Sequence, residues 1–100
     1  MPAYLIANVD VKDTEKFKDY LKATPSVIKQ FGGKFLVRSG NFEICEGSWN
    51  PKRLVVVELE SMQKAKQFYN SPEYKAIIDL RQSSAYTELV FVDGLSTEVK

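Results

Sequence analysis

The run Leu54-Val55-Val56-Val57, followed by Glu58 and Leu59, limits the possible folds more than any other stretch of the chain. Four successive apolar residues, three of them β-branched, abandon the inside-outside alternation of a half-exposed strand. They predict a central strand buried on both faces, so both faces of its sheet need cover. The segment that feeds this strand, Glu46-Gly47-Ser48-Trp49-Asn50-Pro51-Lys52-Arg53, holds the only tryptophan and two cations. Its glycine and proline mark irregular backbone.

The remaining elements follow from periodicity and capping. Ala3 to Val9 sets Leu5, Ala7 and Val9 against Tyr4, Ile6 and Asn8, two largely apolar sets, and predicts a strand buried on two sides that Asp10 ends. Asp13 is the expected N-cap of a helix with Phe17, Tyr20, Leu21, Thr24, Ile28 and Phe31 on one face and Lys16, Lys18, Lys22 and Lys29 on the other. Pro25 cannot donate to the carbonyl of Leu21, which predicts a kink or a restart, and Gly32-Gly33 closes the helix.

Lys34 to Ser39 predicts a second strand, with Phe35 and Val37 on one face and Leu36 and Arg38 on the other. Gly40-Asn41 turns the chain, and Phe42 to Glu46 is expected to pair as a short hairpin return. Ser61 caps a helix carrying Met62, Ala65, Phe68 and Tyr69. Ser71-Pro72-Glu73 starts another, which gathers Tyr74, Ile77, Ile78 and Arg81 on one side. Ala85 to Val92 is the last strand. One domain over residues 1–95 is expected, with 96–100 a frayed polar tail.

Strand, helix, strand, strand, helix, strand is an α+β order, the ferredoxin-like βαββαβ arrangement with an antiparallel sheet. Both helices then cover one face. The open face groups Tyr4, Ile6, Asn8, Leu54, Val56 and Glu58 with Arg38 and Leu36, a set too apolar to leave in water. The expectation is a homodimer, two sheets face to face around a shared cavity, which is a dimeric α/β barrel.

Composition excludes several functions. With 100 residues and 44% hydrophobic content the chain suits one domain, and its net charge of +1 comes without a basic stripe for nucleic acid or a polybasic patch for a membrane. The N-terminus does not read as a signal peptide, and no apolar run approaches the roughly 20 residues of a membrane span, so a cytoplasmic location is expected. Cys45 is the only cysteine and histidine is absent. That combination removes disulfides, multi-thiolate zinc sites, histidine-held haem and Cys-His catalysis, and no metal or cofactor is expected.

Each remaining chemical group has two readings. Arg38, Arg53 and Arg81 form either an anion-binding cluster or an ion-pair network with Glu46 and Glu58. Glu58 is the candidate catalytic base if the cavity desolvates it, and a salt-bridge partner if an arginine lies close. Trp49 either stacks on a planar ligand, with Asn50 beside it, or plugs the end of the sandwich. Tyr69 and Tyr74 either close the site or pack beside a helix start that Ser71 satisfies. Arg38, Trp49, Arg53 and Glu58 are expected to converge at one end of the cavity on the open face.

Leu36-Val37-Arg38-Ser39-Gly40, the Glu46 to Arg53 segment, Glu58 and Phe68-Tyr69-Asn70-Ser71-Pro72-Glu73-Tyr74 together resemble the domain-of-unknown-function family numbered 1330. The resemblance covers nearly the whole chain and departs from the family at Ser39, where a glycine is often found. It implies the dimeric α/β-barrel superfamily, whose enzymes include cofactor-independent monooxygenases, small isomerases and haem enzymes. No particular activity follows from it. The leading expectation is a homodimer that binds a small, partly apolar molecule, anionic if the arginines hold it. One alternative is a monooxygenase or isomerase in which Trp49, Asn50 and Arg38 hold the substrate and Glu58 is the base. The other is an interaction module without a ligand.

Overall fold

The computed structural model describes residues 1–95, so the polar tail expected at 96–100 lies outside the described residues. The chain order is β1 (Ala3–Val11), α1 (Thr14–Gln30), β2 (Lys34–Arg38), β3 (Leu54–Leu59), α2 (Met62–Tyr69), α3 (Pro72–Gln82) and β4 (Ala85–Asp93). The strands form one antiparallel sheet in the order β2-β3-β1-β4, the ferredoxin-like arrangement. The apolar run of β3 and the doubly apolar β1 thus occupy the two central positions.

Local signals set the helix boundaries. The side chains of Asp13, Ser61 and Ser71 accept hydrogen bonds from the backbone N–H groups of Lys16, Lys64 and Tyr74, capping α1, α2 and α3. Pro72 stands in the first turn of α3, where a missing donor costs nothing. Gly32 follows α1 at φ 76°, a conformation that favours glycine and turns the chain towards β2. No helix of the described residues is long and apolar enough to cross a membrane.

The core lies between the helices and one face of the sheet. Register puts Leu5 opposite Val57 and Phe91, and Ala7 opposite Val55 and Leu89, so the odd-numbered residues of β1, β3 and β4 share that face. Phe17, Val27 and Ile28 of α1, Ala65 and Phe68 of α2 and Tyr74 of α3 pack onto it and are buried. Phe68 and Tyr74 are each 1% exposed, with ring centroids 4.6 Å apart. Removing a ring of this kind costs about 3 to 5 kcal/mol.

Four expectations are corrected. Helix α1 runs from Thr14 to Gln30 through Pro25 with no second start. The freed carbonyl of Leu21 is taken by the side chain of Arg38, Nη2 to O 2.8 Å, so one helical bond is replaced and not lost. Strand β1 continues past Asp10 to Val11, because β4 pairs with it as far as Ala85 opposite Val11. Phe42 to Glu46 forms no strand. The chain from Ser39 to Arg53 is irregular, and β2 pairs directly with β3 while its outer edge stays open among the described residues.

The fourth correction matters most for function. The β2-β3 register shifts between Phe35 and Val37: Phe35 faces Val57, Val37 faces Val56, and Arg38 faces Val55. A bulge at Leu36 therefore turns Phe35 and Arg38 to the same, helix-covered face. Arg38 and Glu58, expected together on the open face, stand on opposite sides of the sheet.

Candidate functional site

The cavity that gathers the chemistry lies inside the fold, between α1 and the sheet, not on the open face. Its volume is about 50 Å³, enough for a few waters. Leu5, Ala7, Val55, Val57 and Leu89 form an apolar floor, and Phe17, Leu21, Ile28 and Phe68 supply apolar walls. Into this surface come three arginines from three elements: Arg38 from the end of β2, Arg53 from the turn before β3, and Arg81 from the last turn of α3. Tyr20, Thr24, Tyr74 and Thr87 add hydroxyls to the lining, and no Asp or Glu belongs to it.

The main chain fixes Arg53. Its carbonyl accepts from the N–H of Val9 at 2.9 Å, and Val9 pairs with Thr87. Arg53, Val9 and Thr87 thus form one row across the helix-covered face. The guanidinium of Arg53 lies 5.4 Å from the Phe17 ring centroid. Its Nε is buried without a hydrogen-bond partner in the protein, and so is Thr87 Oγ1 at the far end of the row. Buried polar atoms of this kind are rare, and leaving each one unpaired costs about 1 to 3 kcal/mol. Burial, with the nearby charge of Arg38 adding to it, lowers the Arg53 pKa from its ordinary value.

Arg38 crosses from β2 to α1, bonded to the Leu21 carbonyl and stacked 4.6 Å from the Phe35 centroid, while remaining largely exposed. Arg81 is only 6% exposed. Its Nε donates to Tyr74 Oη at 3.3 Å, and the Tyr74 and Tyr20 hydroxyls stand 2.7 Å apart, joining α3 to α1. Burial works against the Arg81 charge, but the facing tyrosines outweigh it and keep the guanidinium protonated. Burial, reinforced by Tyr74, pushes the Tyr20 hydroxyl well above the ordinary tyrosine value.

The other predicted site residues lie elsewhere. Glu58 is on the open face, 3.4 Å from Lys34 Nζ and 3.5 Å from Tyr4 Oη. Its ionic partner is a lysine, not an arginine. Among the described residues no salt bridge involves an arginine, so the network with Glu46 and Glu58 does not form. Trp49 is 61% exposed in a shallow hollow with Phe42, Ile44 and Leu54, and plugs nothing within this chain. Asn50 is exposed in the same loop. Tyr69 packs between Tyr74 and Phe91, outside the cavity lining. Of the expected cluster, the structure brings together Arg38, Arg53, Arg81 and Tyr74, and leaves Glu58, Trp49, Asn50 and Tyr69 apart.

Sequence reasoning missed Tyr20, Thr24 and Thr87 as lining residues. Thr87 carried a usable signal, since it interrupts the inward set Ala85, Leu89 and Phe91 of β4 with a hydroxyl. Tyr20 and Thr24 already stood on the apolar face of α1.

The profile of the family described as Domain of unknown function (DUF1330) matches residues 2–95. The chain belongs to the DUF1330 family. No curated protein matches it. Among solved structures it is similar to RPA0582, a protein of unknown function from Rhodopseudomonas palustris, at TM-score 0.77 and 16% identity over 95% of this chain and 83% of that one. It is also similar to SnoaB, a cofactor-independent oxygenase from Streptomyces nogalater, at TM-score 0.64 and 10% identity over 96% and 95% of the two chains. A dimeric ferredoxin-like protein of unknown function from Thermobifida fusca matches at TM-score 0.58 and 13% identity, over 93% and 91%. At these identities the likeness establishes the fold and nothing about the reaction.

Proposed function

We propose that this DUF1330 protein is a homodimer that binds a small, partly apolar molecule in the cavity between α1 and the sheet of each copy. The observation that carries the reading is the lining itself: an apolar enclosure entered by three arginines and no carboxylate. Arg81 is buried and Arg53 partly so, with no carboxylate in the lining to pair either, and cations held in this way lower stability, so a fold that keeps them has a use for them. The cavity is far smaller than the roughly 300 Å³ of an ordinary ligand pocket, and a ligand larger than a few atoms enters by parting α1 from β2.

The dimer rests on the opposite face. Val37, Tyr86, Val90 and Val92 are exposed large hydrophobics there, beside half-buried Tyr4, Ile6, Leu54 and Val56. From strand spacing and rise, the sheet offers roughly 500 Å² per copy. A stable interface uses about 800 Å² per partner. Phe42, Ile44 and Trp49, exposed on the loop before β3, supply the remaining apolar surface, and a second copy is the occupant that fits a self-complementary sheet face. The likeness to a dimeric ferredoxin-like protein supports this reading.

A cofactor-independent oxygenase is the second reading, favoured by the hydrogen-bonded Tyr20, Tyr74 and Arg81 in the cavity and by the likeness to SnoaB. Glu58, on the far face of the sheet, has no part in it. Titrating a panel of small acids and phenols into ¹⁵N-labelled protein tests the main reading through the amide signals of Val9 and Thr87. Oxygen uptake with the phenols tests the second. Unmoved cavity signals across the whole panel would leave an interaction module.

A further inference from the structure

We infer that the ligand of this cavity is a planar monocarboxylate with a short apolar body, its carboxylate shared by Arg53 and Arg38, with Arg38 handed over from the carbonyl of Leu21. This rests on the reading of the cavity as a binding site and specifies the chemistry of its occupant.

The charged end follows from what surrounds Arg53. Its Nε is buried without an acceptor, Arg38 is close enough for its charge to act on it, and no acidic residue lines the cavity. Two like charges in one partly desolvated site repel each other, and an anion between them relieves the repulsion while supplying the missing acceptor. The guanidinium fork matches a flat carboxylate with two parallel bonds. Phosphate would set more charge and more unmet acceptors against Leu5, Val55 and Phe17, apolar walls that cannot bond them. Thr87 Oγ1, at the opposite end of the row, offers a hydroxyl to a polar atom on the body of the ligand.

The apolar body follows from the rest of the lining. Phe17 and Phe35 each carry a guanidinium over the ring, and Leu5, Leu21, Val55 and Leu89 line the cavity beside them. A hydrocarbon body meets that surface without leaving a polar group unmet.

Admission follows from Pro25. Among the described residues Arg38 is the one side chain that hydrogen-bonds from β2 across to α1, and its acceptor is a neutral carbonyl left without a helical donor. A carboxylate adds its own charge to that bond and can take two parallel N–H groups of the fork, which a single neutral carbonyl cannot. The Arg38–Leu21 contact, between two residues that line the cavity, is therefore one that a carboxylate displaces more readily than a neutral molecule of the same shape.

The test uses the full chain with benzoate, benzamide and inorganic phosphate, measured by calorimetry and by the amide shifts of Val9 and Thr87. Benzoate should bind about tenfold or more tightly than benzamide, phosphate should leave the cavity amides unmoved, and Arg53→Gln should weaken benzoate by about tenfold while the variant melts no lower than the parent. Benzamide matching benzoate, phosphate moving the same amides, or Arg53→Gln binding benzoate unchanged would each overturn the carboxylate assignment while leaving the cavity a ligand site. If neither benzoate nor benzamide moves the cavity amides, the assignment and the binding reading fall together. Should Arg53→Gln misfold, Arg53→Lys keeps the charge and loses the fork, and the same weakening is expected of it.

Discussion

Arg38 Nη2 donates to the carbonyl of Leu21 at 2.8 Å, and Leu21 is the residue whose helical donor, four positions on, would have been Pro25. A defect in α1 is thereby matched to a cation on β2, between two residues that both line the cavity. Pro25→Ala restores the donor and sets Arg38 free. A proline in a helix interior is worth about 3 kcal/mol of destabilisation, and part of the gain on its removal is offset by the looser unfolded chain. Urea unfolding should show a rise of about 1 to 2 kcal/mol. A loss of stability would mean that the Arg38 contact matters more to the fold than the helical bond it replaces.

Arg53→Met removes a partly buried guanidinium that has no acceptor for Nε and repels Arg38, while keeping a flexible apolar stem against Phe17. Solvent still reaches part of the group, so the gain belongs at the low end of what such replacements give, about 1 kcal/mol. The melting temperature should hold or rise slightly. A drop of several degrees would identify Arg53 as a structural residue and argue against a site kept at the expense of stability.

Tyr20 makes the fold sensitive to alkali. Burial raises its folded pKa above the ordinary tyrosine value, so below about pH 10 both folded and unfolded chains keep the proton and stability is full. Above that the unfolded chain gives up a proton that the folded chain retains, and stability falls as pH climbs towards the folded value. One proton gives a slope of about 1.4 kcal/mol per pH unit. Denaturation at pH 9 and pH 11 should show the loss, and Tyr20→Phe should flatten it at a cost of about 1 kcal/mol for the bond to Tyr74. An equal slope in the variant would assign the alkaline transition to other groups.

The architecture was legible because its signals are local. Asp13, Ser61 and Ser71 each sit where a cap must, and two apolar alternation sets in one strand demand a central position whatever the tertiary detail. The candidate site was less legible, for one physical reason. A single extra residue in a strand reverses the face of everything after it, and nothing in Phe35-Leu36-Val37 marks the bulge. Plain alternation along β2 puts Arg38 on the wrong side of the sheet, and the cavity with it. Phe42 to Glu46 has the composition of a strand, but composition does not decide pairing, and the outer edge of β2 stays unpaired among the described residues.

The exposed face yields the remaining prediction. Val90 lies on β4 opposite Ile6 and is 56% exposed in the single chain. In a monomer, Val90→Asp is a surface change, and such changes stay within about 0.5 kcal/mol. In a dimer packed through this face, the same carboxylate is buried in each copy without a partner, at a cost of several kcal/mol per interface. The two cases separate by far more than experimental error. Sedimentation of the parent should give a dimer at micromolar concentration, and Val90→Asp should give a folded monomer with unchanged far-ultraviolet circular dichroism. Leu36→Asp, at the bulge on the edge strand, should weaken the dimer less, because a charge at the rim keeps part of its water. A parent that sediments as a monomer, or a Val90→Asp protein that remains dimeric, would show that the sheet faces do not meet and that the apolar surface of Val90, Val92 and Tyr86 serves some other contact.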